Sequence, residues 1–181
     1  WLHIVRTTET VQEAADAMVG TPWGRCLAKL EGEPPLQEME DSLDRQYFAN
    51  SLVAARGADA SPQLLRYLRT EIDHRNIVNQ FRAQKQNLSV ETRVNLNIPG
   101  GRIGEATLRA ATQVDSEEAL LDALRRSNAF DDSGFEEAMQ ESAKRGTFDP
   151  LVNLLRNQRL KMLKRFSHLN PVSAFPVIYY I

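Results

Sequence analysis

Three histidines, His3, His74 and His168, are the first residues to weigh for metal or acid–base chemistry. None has a second histidine or a carboxylate at the His-Glu-x-x-His spacing that places ligands on one helix face, so no metal site is expected. A single cysteine, Cys26, excludes an intrachain disulfide and a cysteine metal cluster, and suits a reducing compartment. Pro99-Gly100-Gly101-Arg102 invites a phosphate-loop reading but lacks the Lys-Ser/Thr of a Walker A loop and the spacing of a dinucleotide fingerprint. It reads better as a turn linking helices. With no nucleophile elbow and no paired-carboxylate motif, the sequence predicts no catalytic residue, no cofactor and no small-molecule substrate.

Two other groupings have spacing worth following. Arg69, Asp73, Asn76 and Gln80 stand at i, i+4, i+7 and i+11, one polar line on a helix. Leu64, Leu68, Ile72, Ile77, Phe81 and Leu88 spread over two other faces, which predicts a helix inside a bundle. Inside a bundle the polar line must find partners, because a buried polar group left unpaired costs ~1–3 kcal/mol. The alternatives are a solvated face carrying an Arg69–Asp73 pair worth about 0.3–0.5 kcal/mol, or a functional site. The second grouping is a basic run of Arg156, Arg159, Lys161, Lys164, Arg165 and His168, interleaved with Leu151, Leu154, Leu155, Met162, Leu163 and Phe166. Such a helix either turns a solvated basic back outward or meets an acidic partner, an anionic membrane surface or nucleic acid.

The elements that must carry these residues are helical. Thr8 or Thr10 can cap a segment reaching Met18, which Gly20-Thr21-Pro22 ends. After Pro34-Pro35 a long helix spans 36–55, with Leu36, Met39, Leu43, Tyr47 and Leu52 at helical spacing; Gly57 and Asp59 stop it. Ser61-Pro62 starts the next, an N-cap followed by proline in the first turn, reaching about Gln86. Residues 97–104 form a loop. Asp115 with Glu118, and Ser133 with Glu136, have capping-box spacing; Asp149-Pro150 opens a helix to about Ser167, and Asn170-Pro171 opens the last. Alternating strand patterns are nearly absent, so the expected fold class is all-α.

At 181 residues, with 42% hydrophobic and 25% charged residues, the chain can bury a proper core. A net charge of −2 gives no global pull toward nucleic acid. No apolar run approaches the ~20 residues of a membrane helix. The chain opens on Trp1 with no signal peptide, and is expected to begin within a longer protein.

A weak internal repeat runs through the chain. Asp16-Ala17-Met18 aligns with Asp122-Ala123-Leu124, Pro35-Leu36-x-x-Met39 with Pro150-Leu151-x-x-Leu154, Phe48 with Leu163, and Tyr67-Leu68 with Tyr180-Ile181. The offsets of 106, 115 and 113 share one order and suggest a period of roughly 110 residues. On that period the chain holds the tail of one unit (1–57), one nearly complete unit (58–167) and the head of another (168–181).

Tyr67-Leu68-x-x-Glu71-Ile72-Asp73-x-x-Asn76-Ile77-x-x-x-x-Arg82, followed by Ile98-Pro99-Gly100-Gly101, resembles the C subunits of archaeal A/V-type ATP synthases, the family that includes the d subunit of vacuolar ATPases. Asn170-Pro171-Val172-Ser173-Ala174-Phe175-Pro176-Val177 with Tyr180-Ile181 resembles a second family stretch and departs from it at Val172. The resemblance implies three similar helical bundles in a funnel, of which this chain would be a part ending just before the next acidic-x-x-Asn motif. It also implies a non-catalytic rotor subunit of the central stalk. Its expected partners are the D and F subunits of the axle and the membrane proteolipid ring, during ion-driven ATP synthesis at the cytoplasmic face of an archaeal cell membrane. The basic face at 156–165 would then meet an acidic neighbouring subunit. A generic helical adaptor, and a nucleic-acid-binding domain using 156–168, are the other functions the residues allow.

Overall fold

The computed structural model describes residues 2–29, 35–57 and 61–180, and among them every regular element is an α-helix. Pro34, Asp59, Ile181 and the side chain of Tyr180, all used in the sequence reading, lie outside the described residues. The chain divides into two compact units, Trp1–Val53 and Ala54–Ile181.

The first unit contains α1 (Leu2–Thr7), α2 (Val11–Ala17), α3 (Pro22–Leu27) and most of α4 (Leu36–Ala55). Thr10 caps α2 by accepting from the Glu13 N–H at 3.1 Å, while Glu13 Oε2 accepts from the Glu9 N–H at 2.8 Å. Thr21 caps α3, so Gly20-Thr21-Pro22 opens a new helix as well as closing the previous segment. Ala15, Cys26, Leu27 and Met39 form a small core with Met18 and Leu43 against it. Cys26 is free and buried, its thiol donating to the Trp23 carbonyl at 3.0 Å.

In the second unit α5 (Pro62–Lys85) is the central element, packed against α10 (Asp149–Leu169), α8 (Glu117–Arg125) and α6 (Val90–Asn95). The remaining helices are α7 (Glu105–Thr112), α9 (Phe135–Arg145) and α11 (Phe175–Tyr180). Ser61 caps α5 through the Leu64 N–H at 3.3 Å. Ile77 and Phe81 of α5 join Ile103, Leu108, Leu120, Leu124, Phe135 and Leu151 in one core. Each such side chain, fully buried, contributes about 1.5–3 kcal/mol. A second cluster holds α11 to α10: Phe166 meets Phe175 at 5.3 Å between ring centroids, with Leu64 and Tyr67 of α5 alongside.

Several expected caps are displaced. Ser116, rather than Asp115, caps α8 by accepting from the Ala119 N–H at 3.1 Å. Gly134, rather than Ser133, precedes α9, with a φ of 77° that suits glycine. Ser133 and Asp131 instead bond each other in the turn before it. Asp149 is the first residue of α10 and Phe148 its cap. Asn170 closes α10, and α11 begins only at Phe175, whose N–H donates to Ser173 Oγ at 3.3 Å.

Candidate functional site

α5 places the polar line against the loop that follows α6. Arg69, Asp73 and Asn76 bond that loop's backbone, 22 to 32 residues away in sequence, and Gln80 bonds the Arg93 carbonyl at the end of α6 and the Asn97 side chain, 13 and 17 residues away. Arg69 Nη2 donates to the Gly101 carbonyl at 2.9 Å, and its Nε donates to the Gly100 and Gly101 carbonyls at 3.2 Å. Asp73 Oδ1 accepts from the Arg102 N–H at 2.9 Å and the Ile103 N–H at 3.0 Å. Asn76 bonds Ile98 twice, its Nδ2 donating to the carbonyl at 2.9 Å and its Oδ1 accepting from the N–H at 2.8 Å. Gln80 Nε2 donates to the Arg93 carbonyl at 2.8 Å and to Asn97 Oδ1 at 2.9 Å. The line thus satisfies the backbone of Ile98 and Ile103, which are buried, and of the partly exposed turn between them.

The glycines fit the same purpose. Gly100 has a φ of 97°, a conformation that other residues rarely adopt. A Cβ on Gly101 would collide with Asp73 Oδ1, so an added side chain would push the carboxylate off the N–H groups that it accepts from. The loop therefore serves as a gripped turn, and its carbonyls and N–H groups are engaged by α5.

Burial pushes the Asp73 carboxyl up to about 6, against the Ile103 and Arg102 N–H groups and the charges of Arg102 and Arg69, which hold it down. Burial pushes His74 the other way, down to about 4, assisted by the Arg159 charge and opposed by Asp131. His74 is 8% exposed and its Nδ1 has no partner. Nothing in its sequence neighbourhood marks it as buried.

Arg93 is another residue that the sequence reading misses. It is 6% exposed; its Nη1 donates to Gln84 Oε1 at 2.9 Å and the Val114 carbonyl at 2.8 Å, and its Nε to the Leu88 carbonyl at 2.9 Å. The six-residue α6 that carries it is too short to display a period.

The basic run of α10 does not form one face. Arg159 is half-buried, with Nη1 3.9 Å from Glu71 Oε1 on α5. Arg156, Lys161, Lys164 and Arg165 are exposed, and of these Lys161 and Arg165 line a cleft of about 380 Å³ against α5. Among the described residues no cluster of histidine, cysteine and carboxylates could hold a metal ion, and no helix is long and apolar enough to cross a membrane.

Residues 3–181 match the family model described as ATP synthase (C/AC39) subunit. Curated relatives described as the C subunit of A-type ATP synthase include that of Halobacterium salinarum, 29% identical over 100% of this chain and 53% of that protein, and that of Haloquadratum walsbyi, 28% identical over 79% and 40%. The relative from Pyrococcus abyssi is 25% identical over 96% of this chain and 47% of that protein. The chain spans about half the length of the curated relatives it matches. No solved structure gives a significant match.

Proposed function

The chain belongs to the ATP synthase C/AC39 subunit family, and from that premise we propose that it is part of a non-catalytic rotor subunit that couples the axle, formed by the D and F subunits, to the membrane proteolipid ring. The observation that carries this reading is the family match over residues 3–181, nearly the whole chain. The geometry of the second unit is in keeping with it. A part that transmits torque needs a stiff interior rather than a reaction centre, and close-packed cores resist compression. Here the packing of α5 is supplemented by polar bonds that fix a long loop to its flank.

The ~110-residue repeat, the division at 57/58 and 167/168, and the three-bundle funnel are proposed with it. Phe48 and Leu163, which that period makes equivalent, are both buried. The protein would then be peripheral, held to the cytoplasmic face of the membrane through the ring.

Co-purification tests the assignment. The full-length protein, tagged and expressed with the D and F subunits, should bring both down in a fixed stoichiometry that survives moderate salt. Recovery without them, or recovery of nucleic acid in their place with steep salt dependence, would replace the rotor reading with a nucleic-acid-binding one.

A further inference from the structure

α5 and α10 cross with a cleft of about 380 Å³ between them, closed on its other sides by residues 128–131 and by Arg102 and Ile103. Each helix offers one face to it: Arg66, Thr70, Asp73, His74 and Ile77 from α5, and Leu155, Gln158, Met162 and Arg165 with Lys161 from α10. The charge of this lining is unbalanced. Four cationic residues, Arg66, Arg102, Lys161 and Arg165, line it against two acidic ones, Asp73 and Asp131.

Both carboxylates are already engaged elsewhere. Asp73 accepts from the Arg102 and Ile103 N–H groups, and Asp131 from Ser133. Arg66, Lys161 and Arg165 have no salt bridge or side-chain hydrogen bond among the described residues. Two polar atoms of the lining residues, Thr70 Oγ1 and His74 Nδ1, are buried without a partner. A buried polar atom left without a partner is costly; the Thr70 hydroxyl can donate, and so can His74 Nδ1 in one neutral tautomer, so an anion beside this excess of positive charge would answer both.

We propose that this cleft binds one tetrahedral dianion of the phosphate class, supplied as inorganic phosphate. Two negative charges match the lining's excess of two cations. The guanidinium forks of Arg66, Arg102 and Arg165 and the Lys161 ammonium supply charge-assisted donors at the mouth. The Thr70 hydroxyl, and the His74 ring as its Nδ1–H tautomer, supply neutral donors deeper in. The inference stands apart from the rotor reading, since it uses only the cleft's own geometry. It also differs from the glycine turn at 99–102, whose backbone is taken up by α5.

The test is titration calorimetry of the protein with inorganic phosphate at fixed ionic strength, chloride replacing phosphate in the control. One saturable site per chain is expected. Lys161→Gln with Arg165→Gln, both exposed positions that leave the core intact, should weaken it at least tenfold, two charge-assisted donors being lost. Thr70→Val should weaken it while circular dichroism stays unchanged. Arg156→Gln with Lys164→Gln, exposed on the same helix but away from the cleft, should leave affinity unaltered. Equal losses in both double variants, or no saturable phosphate binding, would overturn the proposal. A further arm uses ATP: affinity no tighter than phosphate is expected, and much tighter binding abolished by Lys161→Gln with Arg165→Gln would overturn inorganic phosphate as the source.

Discussion

Asp73 and His74 are neighbours on α5, and burial shifts their titrations in opposite senses. The Asp73 carboxyl is raised to about 6 in the folded protein, so between about 4 and 6 the folded state holds its proton more tightly than the unfolded chain. Its contribution to stability therefore falls as pH rises through that window. His74, lowered to about 4, binds its proton less readily when folded, so its contribution is lost as pH falls from about 6.5 to about 4. The two largely cancel in the intact protein. Urea denaturation across pH 4–7 should separate them: the stability difference between wild type and Asp73→Asn should shrink with rising pH, and that between wild type and His74→Gln should grow. Each change is on the order of 3 kcal/mol, and a flat difference for either variant would contradict the assigned cause. At pH 7, Asp73→Ala should cost about 1–3 kcal/mol by leaving the buried Ile103 N–H and the part-buried Arg102 N–H unpaired, read as a lower denaturation midpoint.

At the scale of elements, α5 and the 96–103 loop act as one piece. Asn76→Ala should raise amide hydrogen exchange at Ile98, and with it at Arg102 and Ile103, if the four side chains hold the loop cooperatively. Gly101→Ala sets a methyl against Asp73 Oδ1, so Gly101→Ala and Asp73→Ala should be strongly non-additive in a double-mutant cycle, by roughly 0.5–3 kcal/mol. Additive costs would mean that the loop closes without the carboxylate. The sequence reveals much of this scale. α4 and the start of α5 are legible because their stops and caps are local, as is the polar line, a spacing within one helix. The partner loop is legible as a turn, but its pairing with α5 spans 17 to 32 residues and leaves no local trace. α3 and α6, six residues each, are too short for a period. Caps at Asp115 and Ser133 fail for a different reason: Ser116 and Gly134 compete one residue away, and backbone geometry decides between them.

For the whole molecule the claim at stake is mechanical. A rotor coupling part should be dispensable for hydrolysis and indispensable for its connection to ion movement, because it makes no bond and breaks none. That separates it from a catalytic component, whose loss stops both. The ATP synthase complex from an organism encoding this protein, reconstituted into sealed vesicles with and without it, permits ATP hydrolysis and ion pumping to be measured side by side. Without the protein, hydrolysis by the catalytic head should persist while pumping falls to background, and adding the protein back should restore pumping. Pumping that continues undiminished in its absence, or hydrolysis that disappears together with pumping, would contradict the coupling role.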